Sequence, residues 1–337
     1  MQLDSSKSKT SQVLRCMEEQ IRSGALPRGS VLRSTRLLAA DFNVSSQVIR
    51  YACNQLEERG LIRRKPRSGT IVSGMDKFLL VRSEGDVSVS KDIVLSELYA
   101  LAQANFAELD LMPVEIFRSF PQGQLLKVLK KECYKGVMLM CCGYNGTEPE
   151  LEILRKLDLP VCHPVTSVDE ESVTGFKSFK LDTEKGLLLA GMELKNKGRK
   201  NILMLTNRDS DAADFSRVWG KQGICPAHVS VISGNWGSER VMTEFETLLA
   251  EKKFDAVACH SGGLAVLLYQ YCSTRNIVIP RDMSVINFGW GGAGKFLSPK
   301  LTEVNYHLKE HTQAVWEWIE HGRCVFPEIT LSHGESV

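Results

Sequence analysis

The sequence lacks any run of the roughly 20 consecutive apolar residues that a helix needs to cross a bilayer. The first seven residues also lack the apolar core of a secretion signal. We therefore expect a cytoplasmic protein without a membrane partner. The 337 residues, of which 43% are hydrophobic, are sufficient for two or three globular domains with their own cores.

The sequence also lacks the paired two-residue cysteine spacing of a structural zinc site. Its ten cysteines lie mostly in apolar runs, which is typical of small buried side chains in a reducing compartment and not of a disulfide framework. One group could still ligate a metal without that spacing: Cys133, Cys141, Cys142, Cys162 and His163. We expect no metal and no other cofactor.

No set of nucleophile, base and carboxylate residues can be recognised, and the histidines are scattered. Residues 289–295 do have the glycine and lysine spacing of a phosphate-binding loop after a strand-like run. However, Phe296 replaces the Ser or Thr that would hold magnesium, and Ser298-Pro299 disfavours the helix that should follow. We therefore predict that the chain is not an enzyme.

Charge is distributed unevenly along the chain. Residues 1–75 carry 13 Lys and Arg against 6 Asp and Glu, a net charge of +7, whereas the remainder has a net charge of −5. A basic head favours DNA binding because neutralising phosphates supplies most non-specific affinity. Charge alone also allows a solvated basic surface.

The basic head has the pattern of three helices and a hairpin. Residues 11–23 have helical apolar spacing, a second helix begins near Ser34, and a third spans residues 45–59 before a glycine. Two short apolar strands around a basic turn follow at residues 61–72. This order predicts a winged helix-turn-helix domain at residues 1–75, with the third helix in the major groove and the wing along the backbone or minor groove.

Several positions of this head form a recognisable set. They are residues 24–32, Ser34, Arg36, Leu37, Ala39, Val44, Ser45, Arg50, Ala52, Leu56, residues 60–62 and residues 68–72. In this set the head resembles the GntR family of bacterial regulators over about residues 10–73. Arg33 stands where that family usually has proline, and Ser46 stands where it has a base-reading arginine. The operator is therefore expected to differ from the family's common one.

The resemblance implies a DNA-binding surface on the second helix, the third helix and the wing. The predicted DNA contacts are Arg36, Ser45, Ser46, Gln47, Arg50, Arg64, Lys65, Arg67 and Gly69. The alternative for Arg36 and Arg50 is a solvated helix face.

The rest of the chain predicts an α/β fold. Residues 76–90 have little periodicity and are predicted to be a linker that contains a strand-like run at residues 78–81. Helix-like and strand-like segments then alternate over residues 91–337. Residues 113–117 are one of the predicted strand-like segments. This alternation predicts parallel sheets covered by helices in two Rossmann-like lobes, with a ligand at the carboxyl ends of the strands.

The second half of the chain carries a further set of signatures. They lie at residues 179–186, 198–202, 254–265, 279–286 and 297–304. They resemble the effector domain of the LacI/GalR family, which is itself similar to periplasmic sugar-binding proteins, over residues 175–337. A GntR-type head on a LacI-type body is similar to the arabinose-responsive repressors of some bacteria.

This second resemblance implies a site for a small effector, a sugar or sugar derivative. Arg217 falls where the family's ligand-binding arginine lies, and its fixed donors suit hydroxyls or a carboxylate. Lys185 lies beside the edge of that site, Ser261 is aligned with an asparagine of the family, and Trp290 could stack on a ring. The alternatives are a solvated surface for Arg217 and Lys185 and lobe packing for Trp290.

The site departs from the family at the carboxylates that usually bind sugar hydroxyls. Gly262 occupies one such position, and Gly289 with Trp290 occupies the other. We therefore expect an acidic sugar derivative or a ring compound, not a neutral sugar bound in the usual manner.

Together these patterns predict a sequence-specific DNA-binding repressor or activator, a homodimer on a near-palindromic operator, controlled by an effector bound between two lobes. Two alternatives remain open at this stage. One is an α/β enzyme with a DNA-binding head, and the other is a degenerate sensor without a small effector.

Overall fold

The computed structural model of the chain describes residues 8–27, 29–65, 69–83, 89–141, 143–206, 209–232, 238–251, 253–289 and 293–337. The chain divides into two compact units. The first comprises residues 1–83, 98–139 and 147–161, and the second comprises residues 84–97, 140–146 and 162–337. Among the described residues, no helix is both long and apolar enough to cross a membrane.

The first unit begins with a winged helix. Its elements are α1 (Lys9–Arg22), α2 (Thr35–Phe42), α3 (Ser46–Glu58), β1 (Ile62–Lys65) and β2 (Gly69–Val72). The strands β1 and β2 pair antiparallel and form the wing. Buried apolar side chains from all three helices and the wing make one core: Val13, Met17, Ile21, Leu38, Phe42, Ile49, Leu56, Leu61, Ile62 and Val72. The winged helix-turn-helix prediction is confirmed.

The chain then enters an α/β region. Its elements are β3 (Asp76–Arg82), α4 (Val89–Ala104), β4 (Ala107–Pro113), α5 (Val114–Ser119), α6 (Gln122–Glu132), β5 (Gly136–Leu139) and α7 (Pro149–Arg155). Within the first unit, β3 lies between β4 and β5 and runs parallel to both. Four consecutive β3 residues are fully buried, as expected of a parallel strand covered on both faces. β3 thus occupies about half of the predicted linker.

The predicted strand-like segment at residues 113–117 is wrong in type. The strand is β4, which ends at Pro113, and the following residues form α5. Pro113 has a φ of −59°, lacks an N–H and stands at the N-cap of α5. Proline at a helix start costs no hydrogen bond because the first N–H groups have no intrahelical partner.

The second unit contains most of the remaining elements. They are β6 (Val161–Thr166), α8 (Glu171–Thr174), β7 (Lys177–Lys180), α9 (Thr183–Asn196), β8 (Ile202–Thr206), α10 (Asp209–Gly220), β9 (His228–Val231), α11 (Ser238–Glu251), β10 (Ala256–Cys259), α12 (Gly262–Thr274), β11 (Ser284–Asn287), β12 (Thr302–Asn305), α13 (Leu308–His321) and β13 (Thr330–Ser332). β6 and β7 pair in parallel.

A six-stranded sheet has the strand order β13-β12-β11-β10-β8-β9. Its strands are parallel except β13, which pairs antiparallel with β12. The carboxyl ends of β8, β10 and β11 therefore lie side by side, at the edge where parallel α/β sheets bind ligands. The fold is mixed α/β, with a winged helix and sheets of parallel strands, as predicted.

Candidate DNA-binding surface and effector site

The third helix has one buried and one exposed face. Its buried side chains include Ile49, Ala52, Cys53 and Leu56. Its exposed face carries Gln47, Arg50, Tyr51 and Asn54. Because side chains three and four positions apart are neighbours on a helix, these four form one continuous surface. This is the surface that a winged helix presents to the major groove.

The start of α3 is fixed by its own sequence. The hydroxyl of Ser45 accepts a hydrogen bond from the Val48 N–H at 3.4 Å, which caps the helix. Ser46 is the first residue of α3 and is half-buried, whereas Gln47 is exposed. Ser45 therefore has a structural role, and contact of these three residues with DNA stays a prediction.

Two predicted DNA-binding arginines are available for contact. Arg36, in the first turn of α2, and Arg50, on α3, are exposed. Within the described residues neither side chain has an ion pair or a hydrogen bond. Arg33, which replaces the family's proline, pairs instead with Asp41. The guanidinium groups of Arg36 and Arg50 can thus donate to phosphate or to a base edge.

The second strand of the wing begins at Gly69. Lys65 and Gly69 are opposite each other at the end of the hairpin, and Gly69 has a φ of 83°, in the left-handed region that favours glycine. A Cβ there would also lie 3.3 Å from the Cγ1 of Val31. Lys65 is exposed. Arg67, another predicted DNA contact, lies outside the described residues.

Arg64 is tied to α3. Its guanidinium donates to the side-chain oxygen of Asn54 at 2.6 Å and pairs with Glu57 at 2.9 Å. Its backbone N–H donates to the same carboxylate at 2.9 Å. These bonds give Arg64 a role in fixing the wing against the helix, and its predicted contact with DNA remains untested.

The candidate effector site lies at the carboxyl ends of β10 and β11. Ser261 follows β10, and its hydroxyl accepts a hydrogen bond from the Leu264 N–H at 3.3 Å, which caps α12. Gly262 is the buried first residue of that helix. The described edge therefore offers a helix N-terminus and a hydroxyl where the family has a carboxylate.

An aromatic cluster occupies the same edge. The ring of Phe288, after β11, lies 5.1 Å from that of Phe215 on α10 and 5.3 Å from that of His260 after β10, centroid to centroid. Both phenylalanines are buried, and His260 is half-buried. This cluster was not predicted from the sequence, although the position of His260 and Phe288 directly after apolar strands is a signal for it.

Gly289 is packed against the backbone of the neighbouring strand end. A Cβ at this position would lie 1.4 Å from the carbonyl oxygen of His260. The side chain of Asn287 further accepts from the Gly289 N–H at 3.2 Å and donates to the Gly289 carbonyl at 3.4 Å. This backbone leaves no room for a carboxylate side chain at Gly289.

The two predicted cationic effector contacts are engaged in ion pairs. Arg217 pairs with Glu184, and this hydrogen bond lowers the pKa of Glu184 from its usual value. Lys185 pairs with Glu328 at 2.6 Å, which lowers the pKa of that carboxyl as well. Arg217 follows Phe215 by two positions, so the two side chains face different directions.

The structure thus brings His260 together with Phe215 and Phe288, whereas Arg217 is directed to Glu184. An effector role for Arg217, Lys185 and Ser261 stays a prediction. Trp290 lies outside the described residues.

Within the described ranges, no group of three or more His, Cys, Asp or Glu side chains is close enough to hold a metal ion. Cys162 is buried, which raises the pKa of its thiol. The Nε2 atom of His163 lies 3.1 Å from the hydroxyl of Thr174. Cys133 is exposed, and Cys142 lies outside the described residues.

Two family models match parts of the chain. Residues 9–72 match the bacterial regulatory proteins of the gntR family, and residues 192–322 match the periplasmic binding protein-like domain. The transcriptional repressor PurR of Vibrio cholerae is 25% identical over 226 residues, which are 62% of this chain and 66% of the repressor. The regulator RegA of Clostridium saccharobutylicum is 26% identical over 198 residues, 55% of this chain and 56% of RegA. The chain thus spans less than two thirds of these relatives' length.

Solved structures show the same fold. The regulator CcpA of Lactococcus lactis has a TM-score of 0.59 at 15% identity, covering 78% of this chain and 99% of its own. A LacI family regulator from Weissella paramesenteroides has a TM-score of 0.63 at 14% identity, covering 77% of this chain and 98% of its own. The chain thus combines a helix-turn-helix segment similar to the gntR family with a segment similar to the periplasmic binding protein-like domain, and it shares its fold with these solved regulators.

Proposed function

We propose that the chain is a sequence-specific DNA-binding transcriptional repressor whose affinity for its operator changes when a small effector binds. The observation that carries this proposal is that Arg36 on α2 and Arg50 on α3 are both exposed and have no ion pair or hydrogen bond within the described residues. Among its relatives, PurR of Vibrio cholerae is named as a transcriptional repressor. We expect the protein to act in the cytoplasm.

Selection of duplexes from a random pool with the full-length protein tests this proposal. Anisotropy titration on the selected duplex should show that Arg50→Ala weakens specific binding by about 1–3 kcal/mol, because one base contact is lost. Arg240→Ala is the matched control, since Arg240 is exposed on α11 and pairs with Glu244. Equal affinities of the two variants, or a pool that enriches no sequence, would contradict the proposal.

We further propose that the protein binds DNA as a homodimer on a near-palindromic operator. A single winged helix gives a small interface, and a two-fold operator requires two heads. Sedimentation of the full chain at micromolar concentration should show a dimer. A 37.6 kDa monomer that binds DNA one head at a time would count against it.

The effector that we propose is an acidic sugar derivative or a ring compound, bound near Arg217, Lys185, Ser261 and Trp290. One regulator of similar fold, from Weissella paramesenteroides, was solved with bound glucose. The corresponding edge of this chain presents an aromatic cluster and glycines at positions 262 and 289. A neutral sugar would leave hydroxyls unpaired there, at a cost of about 1–3 kcal/mol each.

Thermal-shift screening of the full chain against neutral sugars, sugar acids, sugar phosphates and ring compounds tests this assignment. An acidic or ring ligand should raise the melting temperature, and Arg217→Ala or Trp290→Ala should reduce that shift, unlike Arg240→Ala. Tight binding of a neutral monosaccharide that neither variant affects would contradict it. Binding of no compound would favour a sensor without a small effector, and turnover of one would favour the enzyme alternative.

A further inference from the structure

One large apolar side chain interrupts the polar surface of the third helix. Tyr51 is 56% exposed and follows Arg50 directly in α3. It comes four positions after Gln47 and three before Asn54, so it lies near the middle of the exposed row. No role in packing explains it, because the head core is built from other residues of the same helix.

Single exposed apolar residues are common on protein surfaces and need no explanation by themselves. Tyr51 differs by its position among polar side chains on the face that meets DNA. Within the described residues, its side chain has neither a hydrogen bond nor a core contact. The ring is therefore available to a partner at the place where Arg50 is available too.

The contacts between the wing and α3 limit which part of this helix is free to contact DNA bases. Asn54 and Glu57 are engaged by Arg64, at 2.6 Å and 2.9 Å. Glu57 and Glu58 also place negative charge at the C-terminal end of the helix, which disfavours approach of phosphates. The N-terminal half of α3, including Gln47, Arg50 and Tyr51, is left as the part that enters the groove.

We infer that Tyr51 is a specificity-determining residue, whose ring contacts the C5 methyl group of a thymine in the major groove. That methyl is the one apolar group that the base pairs present there, and apolar side chains recognise thymine through it. A tyrosine ring supplies a large rigid contact surface while its hydroxyl stays hydrated. The inference rests on the proposed DNA-binding function and adds a base preference to it.

The experiment uses the full-length protein and the duplex recovered by selection. Each thymine is replaced singly by uracil, which removes one methyl group and leaves the pairing unchanged. Burial of one methyl is worth about a fourfold change in affinity. At one thymine position in each half-site, replacement by uracil should therefore weaken binding of the wild type about fourfold. Tyr51→Ala should bind all these duplexes equally, whereas Tyr51→Phe should keep the wild-type response.

Two further variants separate the alternatives. Tyr99→Ala is the matched control, because Tyr99 is 42% exposed but lies on α4, outside the winged helix. It should retain the response to uracil. Leu37→Ala tests another exposed apolar residue of the winged helix, because Leu37 is 49% exposed on α2.

Three outcomes would overturn the inference while leaving DNA binding intact. In the first, Tyr51→Ala responds to uracil as the wild type does. In the second, the response to uracil is lost in Leu37→Ala and kept in Tyr51→Ala. In the third, no duplex shows a response to uracil and Tyr51→Phe and Tyr51→Ala lose equal DNA affinity, which would indicate a phosphate contact through the hydroxyl. If selection enriches no sequence, both the inference and the proposed function fail.

Discussion

The guanidinium of Arg59, the C-cap residue of α3, lies over the ring of Phe106 at 4.7 Å from the centroid. Phe106 immediately precedes β4 and has a φ of 53°, and its ring also packs against the core of the winged helix. Arg59 additionally pairs with Glu18 on α1. Within the first unit, the end of α3 is therefore held both by another helix of the head and by Phe106, the residue before β4.

Removal of this contact should loosen the end of α3. Phe106→Ala should lower the free energy of unfolding of the first unit by about 1–2 kcal/mol, because the cation–π contact and part of the buried ring area are lost. A double-mutant cycle with Arg59→Met, measured by chemical denaturation, should give a coupling energy of about 0.5–1 kcal/mol. Phe120→Ala is the control, since Phe120 is largely exposed in the same unit. Strictly additive effects of Phe106→Ala and Arg59→Met would show that the contact contributes nothing.

The two basic residues of strand β1 that were predicted to bind DNA should behave differently. Lys65 is exposed, so Lys65→Ala should weaken DNA binding evenly across sequences. It should also reduce the slope of the logarithm of the binding constant against the logarithm of the salt concentration by about one. Arg64 is bound to Asn54 and Glu57, so Arg64→Ala should leave the slope nearly unchanged and destabilise the wing by about 1 kcal/mol. Titrations at several salt concentrations, with hydrogen exchange of the wing amides, separate the two effects. An equal fall in slope for both variants would place Arg64 on a phosphate.

The winged helix could be predicted from the sequence because its signals are local. Ser34 and Ser45 cap the helices that they precede, and Gly60 follows the last turn of α3. Each signal acts over three or four residues, so a single sequence is sufficient to find it. The exposed position of Arg50 follows from the same helical spacing.

The candidate effector site was harder to predict because its contacts join distant segments. Phe215 and His260 lie on separate elements, and their rings are 5.7 Å apart only because β8 and β10 are neighbours in the sheet. The pairing of Arg217 with Glu184 likewise depends on the packing of α10 against α9. The sequence indicated a site at this edge of the sheet but not which side chains would meet there.

Two glycines near this site should respond in opposite ways to the same substitution. A Cβ at Gly289 would overlap the His260 carbonyl, so Gly289→Ala should destabilise the second unit by about 2–4 kcal/mol through a forced backbone shift. Gly263 lies in the first turn of α12, where a Cβ would lie 3.6 Å from the Ser261 hydroxyl oxygen, an ordinary contact. Gly263→Ala should therefore stabilise the helix by up to about 1 kcal/mol. Thermal melts of both variants test this, and equal melting temperatures would refute the close approach at Gly289.

A buried histidine gives the second unit a predictable dependence on pH. His311 on α13 is buried, and its Nε2–H donates to the carbonyl oxygen of Pro164 at 2.9 Å. Burial lowers the pKa of His311 below its usual value of about 6.5, although the hydrogen bond to Pro164 acts in the opposite direction. The folded protein therefore prefers the neutral ring.

The unfolded chain binds a proton at His311 at a higher pH than the folded chain does, so acid favours unfolding. The neutral His311 ring makes its full contribution to the free energy of unfolding above about pH 6.5. That contribution is lost as the pH falls from there toward the lower pKa of the folded state. The loss is up to about 1.4 kcal/mol per pH unit. His311→Gln removes the titrating group and keeps an amide donor, so its unfolding free energy should fall less between pH 7.5 and pH 5.5 than that of the wild type. His321→Gln, an exposed position on the same helix, should follow the wild type. Chemical denaturation curves at the two pH values measure these free energies of unfolding. If the free energy falls equally in the wild type and in His311→Gln, the protonation of this ring is not linked to unfolding.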